Sequence, residues 1–176
     1  MEFSPDTWLR ALRFAAGAHG DQKTPFGLPY VVHVTSVCME VVRALRAEPG
    51  RDEELAVACA LLHDTLEDTA TPAELLEGEF GSAVLAGVRA LTKDEAVPKS
   101  ERMADSLRRI LEQPREIAMV KMADRITNLA PPPPHWSAQK ISSYREEARS
   151  IHGALSGASP LLAARLAQRI EAYPGR

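Results

Sequence analysis

Apolar residues recur at three- and four-residue intervals along almost the whole chain, and strand-like alternation bounded by turn residues is hard to find, so the pattern predicts an all-α protein. Ser4 followed by Pro5 supplies an N-cap and a first helical position for a helix that turns Trp8, Leu9, Leu12, Ala15 and Ala16 inward as far as about His19, where Gly20 ends it. Gly20, Pro25, Gly27 and Pro29 make residues 20–32 a loop. His33 then opens or precedes a helix reaching Ala47, with Val37, Val41, Ala44 and Leu45 on one face. Asp52 caps a third helix whose run from Leu55 to Leu62 is apolar all round, as a central buried helix is, and which ends at His63 and Asp64.

Further along, Thr71, Pro72 and Glu74 read as a capping box with proline in the first helical position, Gly81 breaks the chain, and Ser82 to Leu91 form another short helix. Residues 93–100 offer almost nothing to bury and are expected to be mobile. Glu101 to Gln113 and Pro114 to about Leu129 are two further helices, the second carrying Ile117, Val120, Asp124 and Asn128 along neighbouring turns of one side. Pro131 to Pro134 bias Ala130 out of the helix and predict an extended, rigid segment inside one domain, a spacer in the first place and a wall of the ligand pocket as the alternative. A helix around Ser137 to Leu155 and another from the Ser159-Pro160 cap complete the chain, and there is no internal repeat.

Composition narrows the options. A chain of 176 residues has room for one ordinary domain, and 45% hydrophobic against 26% charged residues is the balance of a protein that buries a real core, not of a disordered tail. With 21 Lys plus Arg against 24 Asp plus Glu, the net charge of −3 lacks the basic excess that accompanies nucleic-acid binding. The longest wholly apolar stretch, Leu55 to Leu62, is far short of a bilayer span, and the residues from Met1 to Asp6 carry no basic leader, so a cytoplasmic address without a membrane partner is expected. Cys38 and Cys59 sit inside apolar runs and are expected as buried, reduced thiols.

The chemistry concentrates where the most apolar helix terminates in His63-Asp64 and is followed at once by Thr65, Leu66, Glu67 and Asp68. Ionisable groups at the end of a buried helix need partners, and a divalent metal ion is one sufficient partner for adjacent imidazole and carboxylate; a solvated surface turn is the plainer alternative. Asp124 lies among Ile117, Met119, Val120, Ile126 and Leu129, where an unpaired carboxylate is costly, although pairing with Lys121 or Arg125 would also satisfy it. His33, after Pro29-Tyr30-Val31-Val32, is either a ligand or a capping or core histidine. Together His33, His63, Asp64 and Asp124 make a set of two histidines and two carboxylates on three helices.

That set resembles the H…HD…D pattern of the HD-domain metal-dependent phosphohydrolases, an all-helical superfamily. The words around it resemble the hydrolase domain of the Rel/Spo-type alarmone enzymes, above all the small stand-alone hydrolases of metazoan type. They are Ala18-His19 with Gln22-Lys23, the run from Gly27 to His33, Ala60-Leu61-Leu62-His63-Asp64-Thr65-Leu66-Glu67-Asp68-Thr69, Phe80-Gly81, Leu91-Thr92-Lys93, and the run from Val120 to Leu129. The similarity extends over roughly residues 8–155 and implies an HD-type helical bundle in a single domain over 1–176. It further implies that His33, His63, Asp64 and Asp124 hold one divalent metal, Mn²⁺ in the family, and that Glu67 and Asp68 serve the attacking water. Ligand type alone leaves Mn²⁺, Fe²⁺, Co²⁺ and Zn²⁺ open.

The implied activity is removal of the 3′-pyrophosphate of an alarmone nucleotide, guanosine tetra- or pentaphosphate or an adenosine counterpart. The partner is then a small hyperphosphorylated nucleotide, not a nucleic acid, and the oligomeric state is left open, a homodimer included. A polyanion needs local cations on this acidic chain, and Lys23, Lys121 and Arg125 are the candidates. Asn128 and Tyr144 stand where the family has a ligand-contacting Asn and a tyrosine. Val34 departs from the family's usual proline, and Ala130 to Pro134 replace polar residues that help frame the nucleotide in related enzymes, which bears on base preference. Two other functions remain in view: another HD phosphatase, such as a nucleotidase or an NADPH phosphatase, and a catalytically idle nucleotide-sensing or antitoxin module. A pure binder has no need of both Glu67 and Asp68.

Overall fold

The structure, a computed structural model, describes residues 4–174, so the first three residues of the Met1 to Asp6 stretch, expected to carry no basic leader, lie outside the described residues. The elements run α1 (Pro5–His19), α2 (Val31–Ala47), α3 (Glu53–Leu62), α4 (Thr65–Asp68), α5 (Ala73–Phe80), α6 (Ser82–Leu91), α7 (Arg102–Leu111), α8 (Arg115–Asn128), α9 (Ala138–Leu155), a 3₁₀ turn (Ser156–Ala158) and α10 (Pro160–Ala172). Among the described residues there is no β-sheet, only an isolated bridge between Lys23 and Pro29, and the all-α reading holds.

Three of the expected start signals form as hydrogen bonds. Ser4 Oγ accepts from the Asp6 N–H at 3.1 Å, Asp52 Oδ1 from the Leu55 N–H at 3.2 Å, and Ser159 Oγ from the Leu162 N–H at 3.2 Å. The capping box at Thr71 does not form. Pro72 is itself the residue before α5, with no side-chain cap, and the Thr71 hydroxyl pairs instead with Thr69 Oγ1 at 2.7 Å. α2 also starts earlier than expected, because the turn opened by Pro29 already has Tyr30 in helical conformation and places His33 inside the first turn.

α3 is the axle of the fold: every residue from Leu55 to Leu62 is buried, and α1, α2, α6 and α8 pack around it. The approach of α6 is so close that a Cβ on Gly87 would stand 2.5 Å from Ile117 Cδ1 and 2.8 Å from Cys59 Sγ, so glycine is what lets α6 reach α3 and α8. Both cysteines are buried and unpaired, as expected. No helix of the described residues is long and apolar enough to cross a membrane. The consequence for the site is geometric: the C-terminal end of the axle, the first turn of α2 and the last turns of α8 are braced against one another at one end of the core.

Candidate metal centre and cleft

At that end four side chains converge. His33 Nε2 lies 3.5 Å from Asp64 Oδ2 and 3.4 Å from Asp124 Oδ1; His63 Nε2 lies 2.9 Å and 3.7 Å from the same two oxygens. Donor atoms of His33, His63 and Asp64 all fall within 4.8 Å of one another. An ion with bonds of about 2.1 Å needs adjacent ligands roughly 3 Å apart, which is the spacing seen. The His63 ring supplies an independent sign. Its Nδ1–H donates to the Ala60 carbonyl at 2.9 Å, leaving Nε2 as the lone-pair nitrogen. That Nε2 is buried and makes no hydrogen bond, although a carboxylate oxygen lies 2.9 Å away. In the neutral ring two lone-pair atoms would face each other, an arrangement that a cation resolves, whether a proton or a metal ion, and the residues fit a divalent metal.

The electrostatics agree. Burial by itself would depress His33 and His63, yet Asp124 and Asp64 acting on His33, and Asp64 ahead of Asp124 on His63, hold both imidazoles above their ordinary range, His63 strongly. Burial likewise opposes ionisation of the acids, and is outweighed by His63 at Asp64 and by Lys121 at Asp124, so both carboxylates titrate well below the usual range. The site demands positive charge at its centre, which protons supply in the metal-free protein.

Further side chains fix the acids. Asp124 Oδ1 accepts from Asn128 Nδ2 at 2.5 Å and its Oδ2 from Lys121 Nζ at 3.2 Å. Tyr30, missed in the sequence although it sits one turn before His33, donates its hydroxyl to Asp64 Oδ2 at 2.6 Å and lies 3.1 Å from Asp68 Oδ2. Burial first, then the charges of Asp64 and Asp68, push the Tyr30 phenol far up, so it stays a donor. His19 is buried, stacks on Tyr30 with centroids 4.4 Å apart and bonds Gln22 Oε1 through Nδ1 at 2.8 Å, while Gln22 Nε2 donates to Asp68 Oδ2 at 3.4 Å. Glu67 is held separately, by Lys93.

A cleft of about 520 Å³ leads away from His33, within the range of ligand pockets. Asn128 and Tyr144, expected to meet substrate, line it. Lys23, Lys121 and Arg125, expected for the same task, do not. Lys23 is exposed on the loop, Lys121 is spent on Asp124, and Arg125 is buried beneath Tyr144, its guanidinium carbon 4.2 Å from the ring centroid and Nη2 3.2 Å from Glu147 Oε2. The lysine in the lining is Lys140, whose ammonium lies 4.0 Å from the Trp136 ring centroid. Pro131, Pro132 and Pro133 form one wall, so the expectation of a mere spacer is corrected: the proline run shapes the pocket. Phe26 and Leu28, 56% and 51% exposed, stand in the lining as well.

With this geometry in hand, the comparisons with known proteins converge. The model of the HD domain matches residues 11–161. The zebrafish (Danio rerio) guanosine-3′,5′-bis(diphosphate) 3′-pyrophosphohydrolase MESH1 is 34% identical over 166 residues, covering 91% of this chain and 90% of the relative, and human MESH1 is 34% identical over 155 residues, covering 85% and 84%. The corresponding enzyme of Aquifex aeolicus is 38% identical over 124 residues, 68% of this chain but 17% of that longer protein. Among solved structures, one described as a metazoan ortholog of SpoT that hydrolyses ppGpp superposes with a TM-score of 0.82 at 27% identity, covering 97% of each chain. Matched by the family's model along most of its length, and by MESH1 relatives along nearly all of it, the chain belongs to the HD-domain family.

Proposed function

We propose that this chain, acting as one hydrolase unit, is a divalent-metal-dependent enzyme that removes the 3′-diphosphate from a nucleotide bearing phosphates at both ends of the ribose, as the names of its MESH1 relatives describe for them. The P–O bond to the ribose 3′-oxygen breaks, water supplies the new oxygen on the departing phosphorus, and the products are pyrophosphate and a nucleoside 5′-di- or triphosphate. His33, His63, Asp64 and Asp124 hold the ion, for which Mn²⁺ is our choice because two carboxylates favour a harder metal than a site rich in histidine or thiolate. When bound, the ion lowers the pKa of water and polarises a phosphoryl oxygen. Glu67 and Asp68 accept and relay the proton of the attacking water. Tyr30 keeps Asp64 and Asp68 in register, and Lys121 with Asn128 does so for Asp124. The nucleoside lies along Trp136, Tyr144 and the proline wall, with Lys140 toward its 5′-phosphates.

The observation that carries this reading is the buried, unpartnered Nε2 of His63, facing carboxylate oxygens at the head of a cleft of nucleotide size. The test is product identity. Protein loaded with Mn²⁺ is incubated with guanine and adenine nucleotides carrying a 3′-diphosphate, and with NADPH, and the products are resolved. Pyrophosphate from at least one 3′-diphosphate is expected; orthophosphate alone would assign a phosphomonoesterase, and binding without turnover an idle sensor.

A further inference from the structure

We infer that Lys93 is a positioning residue for the hydrolytic step, clamping the Glu67 carboxylate by both of its oxygens. Its main-chain N–H donates to Glu67 Oε2 at 3.0 Å, and its ammonium reaches Oε1 at 2.6 Å. Two donors from one residue fix the plane of a carboxylate, where a single contact leaves it free to rotate about its own axis. The ammonium is set within a field of acids: burial lowers its affinity for a proton, Glu67 more than offsets that, and Asp64 and Asp124 add to the effect, so it stays charged beside the metal centre.

The clamp has a rigid mount. Lys93 is the first residue beyond Thr92, which ends α6, and α6 would otherwise present unsatisfied carbonyls there. Arg109 of α7 satisfies them, donating through Nη1 to the carbonyls of Arg89 at 2.6 Å and Ala90 at 3.2 Å and through Nη2 to that of Thr92 at 2.8 Å. Asp105 in turn holds Arg109 Nε at 2.8 Å. The stretch expected to be mobile is therefore anchored at its start to α6, α7 and Glu67, and Arg102 binds its middle through the carbonyls of Val97 and Glu95, each at 2.9 Å. Glu67 stands on the one-turn helix α4, too short to hold a side chain by its own packing, so its aim depends on the opposing residue.

This inference rests on the proposed hydrolysis, and its test separates the two. Lys93→Met keeps the main-chain donor and removes the charge. With metal content unchanged, kcat is expected to fall about 10- to 100-fold and KM to stay within about twofold, the signature of a misaimed group and not of a lost substrate contact. Lys93→Cys treated with bromoethylamine rebuilds an ammonium at that position and is expected to recover most of kcat. Cys38 and Cys59 are 2% and 0% exposed, with burial pushing both thiols up, so alkylation is confined to residue 93. A second measurement needs neither metal nor turnover: the Lys93 ammonium, followed by ¹³Cε NMR in the metal-free protein, is expected to titrate at lower pH in Glu67→Gln than in the parent. An unchanged kcat, a change confined to KM, no recovery on aminoethylation, or a Lys93 titration indifferent to Glu67→Gln would each overturn the inference. Parent protein that releases no pyrophosphate would sink the proposed function instead, and the NMR titration would then decide the clamp.

Discussion

The two ends of the cleft are made of opposite materials. At the head, His63 and Asp124 are 3% and 7% exposed, the two histidines stand 2.9–3.7 Å from the two carboxylates, and Tyr30, Asn128 and Lys121 brace those carboxylates. At the far end the lining is Pro131 to Pro133, Trp136 and Tyr144, with Phe26 and Leu28 standing open to solvent. The prolines bring no N–H donor to that wall, and the hydroxyls of Ser36 and Thr127 already donate to the Val32 and Asp124 carbonyls at 2.7 and 2.8 Å. In a buried polar cluster the loss of one member strands the others, so such a site tolerates little change. An apolar wall recognises shape and stacking, where losses are graded. Chemistry and substrate preference are thus written in two different physical languages within one cleft.

The largest effect should come from breaking the head. Asp64→Ala removes a carboxylate that faces His33 and His63 and accepts from Tyr30, and is expected to abolish stoichiometric metal binding and with it more than about 10³-fold of turnover. Glu67→Ala is the sharpening control: metal retained, kcat reduced by about 10²- to 10⁴-fold. Metal analysis of both purified variants checks the division of labour, and loss of the ion from both would place Glu67 among the ligands.

The same contrast explains what could be read in the sequence. His63 and Asp64 follow an eight-residue apolar run, and Asp124 lies among apolar neighbours on α8, so each carries a local mark of a buried charge that needs a partner. The structure brings them together with His33. The braces left no such mark. Tyr30 meets Asp64 across 34 positions and Lys93 meets Glu67 across 26, and no periodicity announces contacts of that kind. Charge in a motif looks available to substrate, yet the fold pairs Lys121 with Asp124 and Arg125 with Glu147. The proline run fixed a backbone shape legibly, but which side of it faces a cavity depends on how α8 and α9 pack. The missed one-turn helix α4 and the unformed box at Thr71 belong to the same class, local signals overridden by what the neighbouring chain required.

At the far end a smaller, graded response is expected. Trp136→Ala removes a stacking face and the partner of the Lys140 ammonium, and should raise KM about 10-fold while kcat and bound metal stay near the parent values. Steady-state kinetics with metal analysis would check it. A kcat loss as large as that of Glu67→Ala would erase the distinction between the two ends.

The smallest effect concerns the head without its ion, where the cluster must supply its own positive charge. His33 and His63 titrate above 6.5 in the folded, metal-free protein, so the native state holds protons that the unfolded chain releases. Their contribution to stability is complete below about pH 6.5 and is lost as pH climbs through the raised values. Asp64 and Asp124 act oppositely: titrating below 3.8 when folded, they stabilise above that pH and cease to as acid protonates them. The metal-free protein should therefore be most stable in mildly acidic buffer, and its Tm should fall by a few degrees between pH 6 and pH 9, each kcal/mol being worth roughly 2–4 °C in a chain of this size. A bound dication replaces the protons, so the rise in Tm on adding Mn²⁺ should be larger at pH 8 than at pH 6. Calorimetric scans with and without metal at both pH values decide the matter. A metal-induced rise that is the same at pH 6 and pH 8 would mean that protons and metal do not compete for these four side chains, and the head of the cleft would lose its claim to be a cation site.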